Sequence, residues 1–226
     1  MATLVSGNTP FDRFQSGDAS ALTQEQIAGL NLFLNGTTDP NPGAGCNFCH
    51  AIPEFTKASV RLVDLGKSGD GFFSIGVRPT AEDPGQAETA TGKFKVPSLR
   101  NVELTAPYMH NGGMATLEQV VEFYNRGRSD FDKSHGGADP GAVLNLSSGQ
   151  KDNLVAFLKA LTDERVRFQK APFDHPQLFV PNGHPTNQLQ VTDDGKGNAK
   201  DDVLEIPAVG RDGGPDISRK NFLGIH

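Results

Sequence analysis

The sequence predicts a mainly α fold with long irregular loops and an extended C-terminal tail. Three segments pair an apolar stripe at helical spacing with a capping box at their start. Glycine (26) and proline (15) take a larger share of the 226 residues than in an average chain, which fills the intervals with loop. From about Ala171 onward no hydrophobic period is visible.

The first helix is predicted over 23–35, "TQEQIAGLNLFLN". Thr23 and Gln26 form its capping box, and Ile27, Leu30 and Leu34 share one face with Phe33 beside them. The second covers 116–127, "TLEQVVEFYNRG", opened by Thr116 and Gln119 and closed by Gly127, where a left-handed residue is wanted. Leu117, Val120, Val121 and Tyr124 fall at i, i+3, i+4 and i+7, so all four point the same way. The third covers 147–164, opened by Ser147 and Gln150. Leu154, Leu158 and Leu161 form its stripe, supported by Val155 and Phe157.

The intervals read as loops: "TTDPNPGAG", the polar stretch 78–92 and the stretch 127–142. "GFFSIGVR" and "KFKVPSL" supply short extended pieces, with Pro97 confining the second to an edge or turn. Residues 1–170 are expected to form one domain and 171–226 an irregular Pro/Gly-rich extension packed on it, wrapping or partly disordered. No internal repeat is visible.

With a net charge of −6 the chain lacks the cation excess that neutralising phosphates requires, which argues against nucleic acid as a partner. No run reaches the ~18 apolar residues of a membrane span. "MATLVSGNTPFDRF" lacks the charged start and apolar centre of a signal peptide. Hydrophobic residues make up 36%, a modest supply that an apolar cofactor at the centre would supplement.

The chemistry concentrates in "GAGCNFCHAIPEF", residues 43–55, which holds both cysteines of the chain, Cys46 and Cys49, with His50 directly after them. A structural zinc site needs four ligands, and no second Cys/His pair at finger spacing follows. A thioredoxin-like pair would follow a strand and open a helix, whereas this one follows a loop after a helix. A plain disulfide leaves the adjacent histidine unexplained. Covalent haem explains all three residues. Two thiols spaced by three add to the two vinyl groups of one porphyrin, and the next residue, His50, is directed at the iron as proximal ligand. The glycines at 43 and 45 let the backbone approach closely. Attachment of this kind is made outside the cytoplasm, so a periplasmic or otherwise extracytoplasmic location is expected, with a leader absent from this sequence.

The stretch 94–127, "FKVPSLRNVELTAPYMHNGGMATLEQVVEFYNRG", adds a second signature. With "GLNLFLNG…CNFCH" before it and "LVAFLKALTDE" after it, the chain resembles the C-terminal haem domain of the bacterial di-haem cytochrome c peroxidases and the related MauG enzymes, over about residues 11–164. The resemblance implies a cytochrome c-like haem domain. The position matching the family's distal ligand is Tyr124, where the peroxidases carry methionine and the MauG branch tyrosine. The alternative for Tyr124 is an ordinary buried tyrosine paired to a carbonyl, and Met109 and Met114 are rival ligands. His110 matches a histidine close to the haem, near a propionate, against the alternative of a half-buried histidine bonded to backbone. Arg100 matches the family's "LRN" and is expected to pair with a propionate or, alternatively, to form a surface salt bridge. Carbonyls at Thr105 and Pro107 match positions that help bind calcium between two haem domains.

One C-x-x-C-H and no Trp imply one covalent haem c, with the second haem and the tryptophan between the haems not in this chain. The function implied is a c-type haem redox protein that relays or stores oxidising equivalents at a His/Tyr-ligated haem, with a second haem domain or another electron-donor or electron-acceptor protein as partner. Two alternatives stay open. One is a simple His/Met electron-transfer cytochrome c. The other is a stand-alone mono-haem peroxidase, for which His110, His135 and Glu122 are candidate acid–base groups. Whether the chain is itself an enzyme is left open.

Overall fold

The computed structural model describes residues 5–59, 71–79, 82, 92–127, 143–184 and 191–218. The loops expected over 78–92 and 127–142 fall almost wholly outside these residues, as does His135.

Helices dominate the first part of the chain: α1 (Pro10–Gln15), α2 (Gln24–Leu34), α3 (Leu117–Asn125) and α4 (Ser148–Lys159). The three expected helices form, and each starts at the expected cap. Thr23, Thr116 and Ser147 accept from the amides of Gln26, Gln119 and Gln150, and each glutamine reaches back to its cap. α1 is the helix that periodicity does not reveal, because six residues give under two turns of pattern. Its start signals are nonetheless complete: Thr9 caps, Pro10 sits in the first turn, and Asp12 completes the capping box.

α4 ends at Lys159, short of the expected 164. Thr162 and Asp163, fully buried, leave the helix for tertiary partners. The Thr162 hydroxyl donates to Glu103 at 3.0 Å, the Asp163 amide donates to Asn101 Oδ1 at 2.9 Å, and the Asp163 carboxylate accepts from the Asn8 amide at 3.1 Å.

The core is aromatic. Phe11, Phe33, Phe55 and Phe157 are fully buried and meet edge-on or tilted, with ring centroids 5.0–6.3 Å apart. Each contributes about 2 kcal/mol by burial. Leu30, Leu154, Leu158 and Leu161 surround them. α2 and α4 cross closely at Gly29, where a Cβ would come within 2.7 Å of Phe157 Cβ. Along α3, Leu117 and Val121 are buried while Val120 and Tyr124 are half-buried at the edge of the stripe. Phe123, outside the expected stripe, is buried, its ring edge-on to Tyr124 at 5.4 Å. Two short strands, β1 (Phe72–Phe73) and β2 (Phe94–Lys95), pair antiparallel where extended pieces were expected, and Pro97 lies beyond their end.

The chain divides into two compact units: among the described residues the first holds Ser6–Asp163 and Ser218, and the other holds Val5 and Glu164–Ile217. The second, Glu164–Ile217, begins earlier than the expected boundary at 171 and is ordered in short pieces. It holds α5 (Glu164–Arg167), a ribbon of β3 (Leu178–Pro181) with β6 (Val203–Ile206), and a small hairpin of β4 (Thr192–Asp193) with β5 (Ala199–Lys200). Strands of two to four residues are too short to show a period in sequence. Among the described residues no helix is long and apolar enough to cross a membrane.

Candidate cofactor site

The turn carrying the cysteines is set by the end of α2. Its last carbonyls lack partners within the helix, and the loop supplies them. The Ala44 amide donates to Leu32 O and the Gly45 amide to Asn35 O, both at 2.7 Å. Position 43 admits only glycine, because a Cβ there would stand 2.5 Å from Asn35 O and 2.6 Å from Leu32 O. Gly45, at φ +63°, then turns the chain into a 3₁₀ turn over Cys46–Phe48. The expected close approach holds at 43, to the carbonyls at the end of α2, whereas at 45 a Cβ would meet nothing nearer than 3.7 Å and the glycine serves the positive φ. Cys46 and Cys49 sit half-buried at either end of the turn, not joined as a disulfide, and Cys46 packs against the core. The His50 amide donates to Cys46 O at 2.9 Å, which fixes the histidine one step beyond the second thiol.

His50 is half-buried, and its Nδ1 lies 3.2 Å from both Phe55 O and Pro97 O. Carbonyls only accept, so Nδ1 carries the proton and Nε2 keeps its lone pair. Burial holds the imidazole below its ordinary pKa, partly opposed by these two carbonyls. A neutral, tautomer-fixed imidazole is what a metal ligand requires. Two half-buried thiols, spaced by one turn beside that imidazole, complete a donor set that fits a covalently attached porphyrin.

The segment Val96–Asn101 builds the floor under His50. Thr56 Oγ1 donates to Val96 O, and Ser98 Oγ donates to Glu54 O, both at 2.7 Å. Phe55 holds φ +54°, a region costly for a bulky residue, and in doing so buries its ring while its carbonyl serves His50. Arg100 spends its donors here. Nη1 and Nη2 take both oxygens of Asp12 at 2.9 and 2.8 Å, and the remaining bonds go to Ser6 O and Pro53 O. The guanidinium also lies 5.6 Å from the centre of the Phe55 ring. Asn101, at φ +59°, accepts from Ser6 and Asp163. Pro97, Ser98, Phe55 and Asp12 are the site's unforeseen members. "VPSLRN" marked the stretch, but the bonds pair residues some 40 to 90 positions apart, which no local pattern reports.

Other expected residues fall on the opposite stretch of the motif. Tyr108 and Met114 bridge antiparallel and close the loop carrying Met109, at φ +68°, and His110. His110 is exposed, stacked on Phe94 with centroids 3.7 Å apart and planes at 6°. A cavity of about 310 Å³ opens beside the pair, lined also by Ile75, Val77, Arg78 and Glu82. Tyr124 is half-buried on α3, against Phe123. Glu122 faces solvent and pairs with Lys151 at 2.8 Å, which holds its carboxyl below the usual range. Thr105 ends the 3₁₀ turn Val102–Leu104, and Pro107 packs against Gly112. Among the described residues no three His, Cys, Asp or Glu side chains gather as a metal cluster.

Known proteins give the comparison. No protein-family model matches the chain. The cytochrome-c peroxidase IdrP2 of Denitromonas iodatirespirans is 37% identical over 72% of this chain and 46% of its own length. The cytochrome c551 peroxidase of Nitrosomonas europaea is 34% identical over 74% and 43%, and the methylamine utilization protein MauG of Methylorubrum extorquens 33% over 72% and 41%. The chain thus spans less than half the length of these relatives. Among solved structures, a MauG-like protein associated with microbial copper homeostasis superposes with a TM-score of 0.55 at 27% identity, covering 74% of this chain and 51% of that one. A variant of the diheme peroxidase BthA from Burkholderia thailandensis shares the fold, with a TM-score of 0.51 at 22% identity over 74% and 48%. Over about 72% of its length the chain is thus a homologue of the bacterial cytochrome c peroxidases and MauG.

Proposed function

We propose that this chain is an extracytoplasmic c-type haem redox domain that relays or stores oxidising equivalents for a second haem domain. The observation that carries it is the pair of carbonyls on His50 Nδ1, which leaves the Nε2 lone pair available to a metal. Cys46 and Cys49 would tether one porphyrin, and the bound iron would supply the reversible change of oxidation state. The chain's own residues do the rest. The turn Cys46–Phe48 sets thiol spacing, Val96–Asn101 holds the imidazole, and the core excludes water from one side of the site. Arg100 acts on this reading through the loop it clamps, with Asp12 in the place of a propionate.

Tyr124 is proposed as the second side chain that would hold the iron. Its half-buried place at the edge of the α3 stripe supports this, because a cofactor would cover what is left exposed. Phenolate ligation favours the ferric and higher states, whereas thioether ligation by Met109 or Met114 raises the potential and suits plain electron transfer. Glu122 faces solvent and pairs with Lys151, which gives no support to a peroxidase acid–base role for it. Calcium at the Thr105 and Pro107 carbonyls would need ligands from a partner domain.

The test is expression with c-type maturation outside the cytoplasm. Covalent haem is expected on a denaturing gel, with a ferric tyrosinate-type spectrum that Tyr124→Phe abolishes. A methionine-type charge-transfer band would replace Tyr124 by a thioether. A colourless product would overturn the haem reading.

A further inference from the structure

An aromatic row runs out of the C-x-x-C-H turn along the surface. Phe48, the residue before Cys49, is 65% exposed although it is a large apolar side chain. Its ring meets Phe73 edge-on at 6.1 Å. Phe73 pairs across the β1–β2 ribbon with Phe94, 37% exposed, and Phe94 stacks on exposed His110. Phe48 and Phe94, exposed on either side of half-buried Phe73, are costly to display and mark an interaction surface.

The row is flanked by positive charge. Lys57 Nζ lies 4.2 Å from the centre of the Phe48 ring and 5.5 Å from that of Phe73. Lys93 and Lys95 flank Phe94 in sequence, and Lys95 is exposed. Among the described residues Lys57 and Lys95 have no carboxylate partner. Arg78 and Glu82, which line the cavity beside Phe94, neutralise each other. Two lysines without a carboxylate partner among the described residues therefore stand beside these rings, on a chain whose net charge is −6.

We propose that this face (Phe48, Lys57, Phe73, Phe94, Lys95 and His110) docks an acidic redox protein, with carboxylates over the lysines and an apolar patch over the phenylalanines. The inference rests on the haem reading, since the row begins between the two cysteines that would tether the porphyrin. A net charge of −6 would by itself suit a basic partner. The local charge at the docking face, not the total, governs encounter.

Cytochrome c, basic as isolated and acidic once its lysines are succinylated, serves as the probe. Each form is titrated calorimetrically into the haem-loaded chain at low and high ionic strength. The acidic form is expected to bind about tenfold more tightly at low salt, with the difference fading as salt is raised. Combined Lys57→Glu and Lys95→Glu substitutions should invert the preference, while an unchanged haem spectrum reports a native fold. Equal binding of both forms, or tighter binding of the basic form, overturns the proposal, and this comparison needs no variant. Covalent haem with no probe preference would sink the docking face alone, whereas a haem-free product with the preference intact would sink the haem reading alone.

Discussion

His50 Nδ1 lies 3.2 Å from the carbonyl oxygen of Pro97, 47 residues further along the chain. One hydrogen bond thus joins the two signatures of the sequence, the cysteine turn and the "VPSLRN" stretch. Ser98 keeps that carbonyl in place through its 2.7 Å bond to Glu54 O. Ser98→Ala is expected to cost about 1 kcal/mol, the worth of one hydrogen bond. In the haem-loaded protein it should also raise the reduction potential, because weaker bonding at Nδ1 makes the imidazole a poorer donor to iron. Denaturant unfolding and a redox titration check the two effects.

The Arg100–Asp12 pair ties α1 to the site through two parallel bonds. Arg100→Ala should destabilise the chain by about 2–3 kcal/mol, since it strips Asp12 and two backbone carbonyls of a charged donor. Arg100→Lys should recover less than half, having no planar fork. Guanidinium titration of the three proteins measures this.

Acid should weaken the same clamp. Desolvation raises the Asp12 pKa, but the bonds from Arg100 and from the Thr9 amide and hydroxyl outweigh it, and the carboxyl ends below its usual 3.8. The unfolded chain then binds the proton first as pH falls. Its contribution is present above about pH 4 and is lost as the pH drops through the lowered value. An Asp12→Asn variant should show a flatter decline of stability below pH 4.

Gly43 and Gly149 should respond oppositely to alanine. At 43 the new methyl would meet two backbone carbonyls within 2.6 Å, so the turn must shift and Cys46 with it. A loss of more than about 2 kcal/mol is expected, in line with overpacking against rigid backbone. At 149, inside the first turn of α4, nothing lies within 4 Å, and alanine should stabilise by about 0.5–1 kcal/mol. Thermal melts of both variants decide.

Tyr108 should stay protonated far into alkali. Burial, with Glu103 and Glu118 nearby, pushes its phenol up to about 12. The unfolded phenol ionises near 10, so stability should fall as pH rises between those values. With two tyrosines and no tryptophan in the chain, carbon-13 labelling of tyrosine ring carbons resolves the titration, and Tyr108→Phe identifies its signal.

Local chemistry was legible in the sequence, and distant pairing was not. Thr23, Thr116 and Ser147 announced three helix starts because a capping box spans only four residues. Cys46, Cys49 and His50 share one turn, legible in the sequence for the same reason. Arg100 was visible within its motif, yet its partner Asp12 lies 88 residues away in a helix too short to show a period. The length of α4 was overread because Leu161 continues the apolar spacing, while Thr162 and Asp163 turn to bonds with Glu103, Asn101 and Asn8. Tyr124 sits on the expected helix, but Phe123 beside it takes the deeper position, a choice made by packing across elements and invisible to spacing alone.

Asn8 and Asp163, close to the two ends of the stretch Ser6–Asp163, are bonded to each other at 3.1 Å. The two ends of this stretch therefore stand side by side, and the stretch is closed on itself like a cassette. Such a module can be spliced between other segments of a polypeptide without stretching its own framework. The two ends of this stretch could also be joined by a short linker and the stretch reopened at a surface loop, leaving the cysteine turn intact.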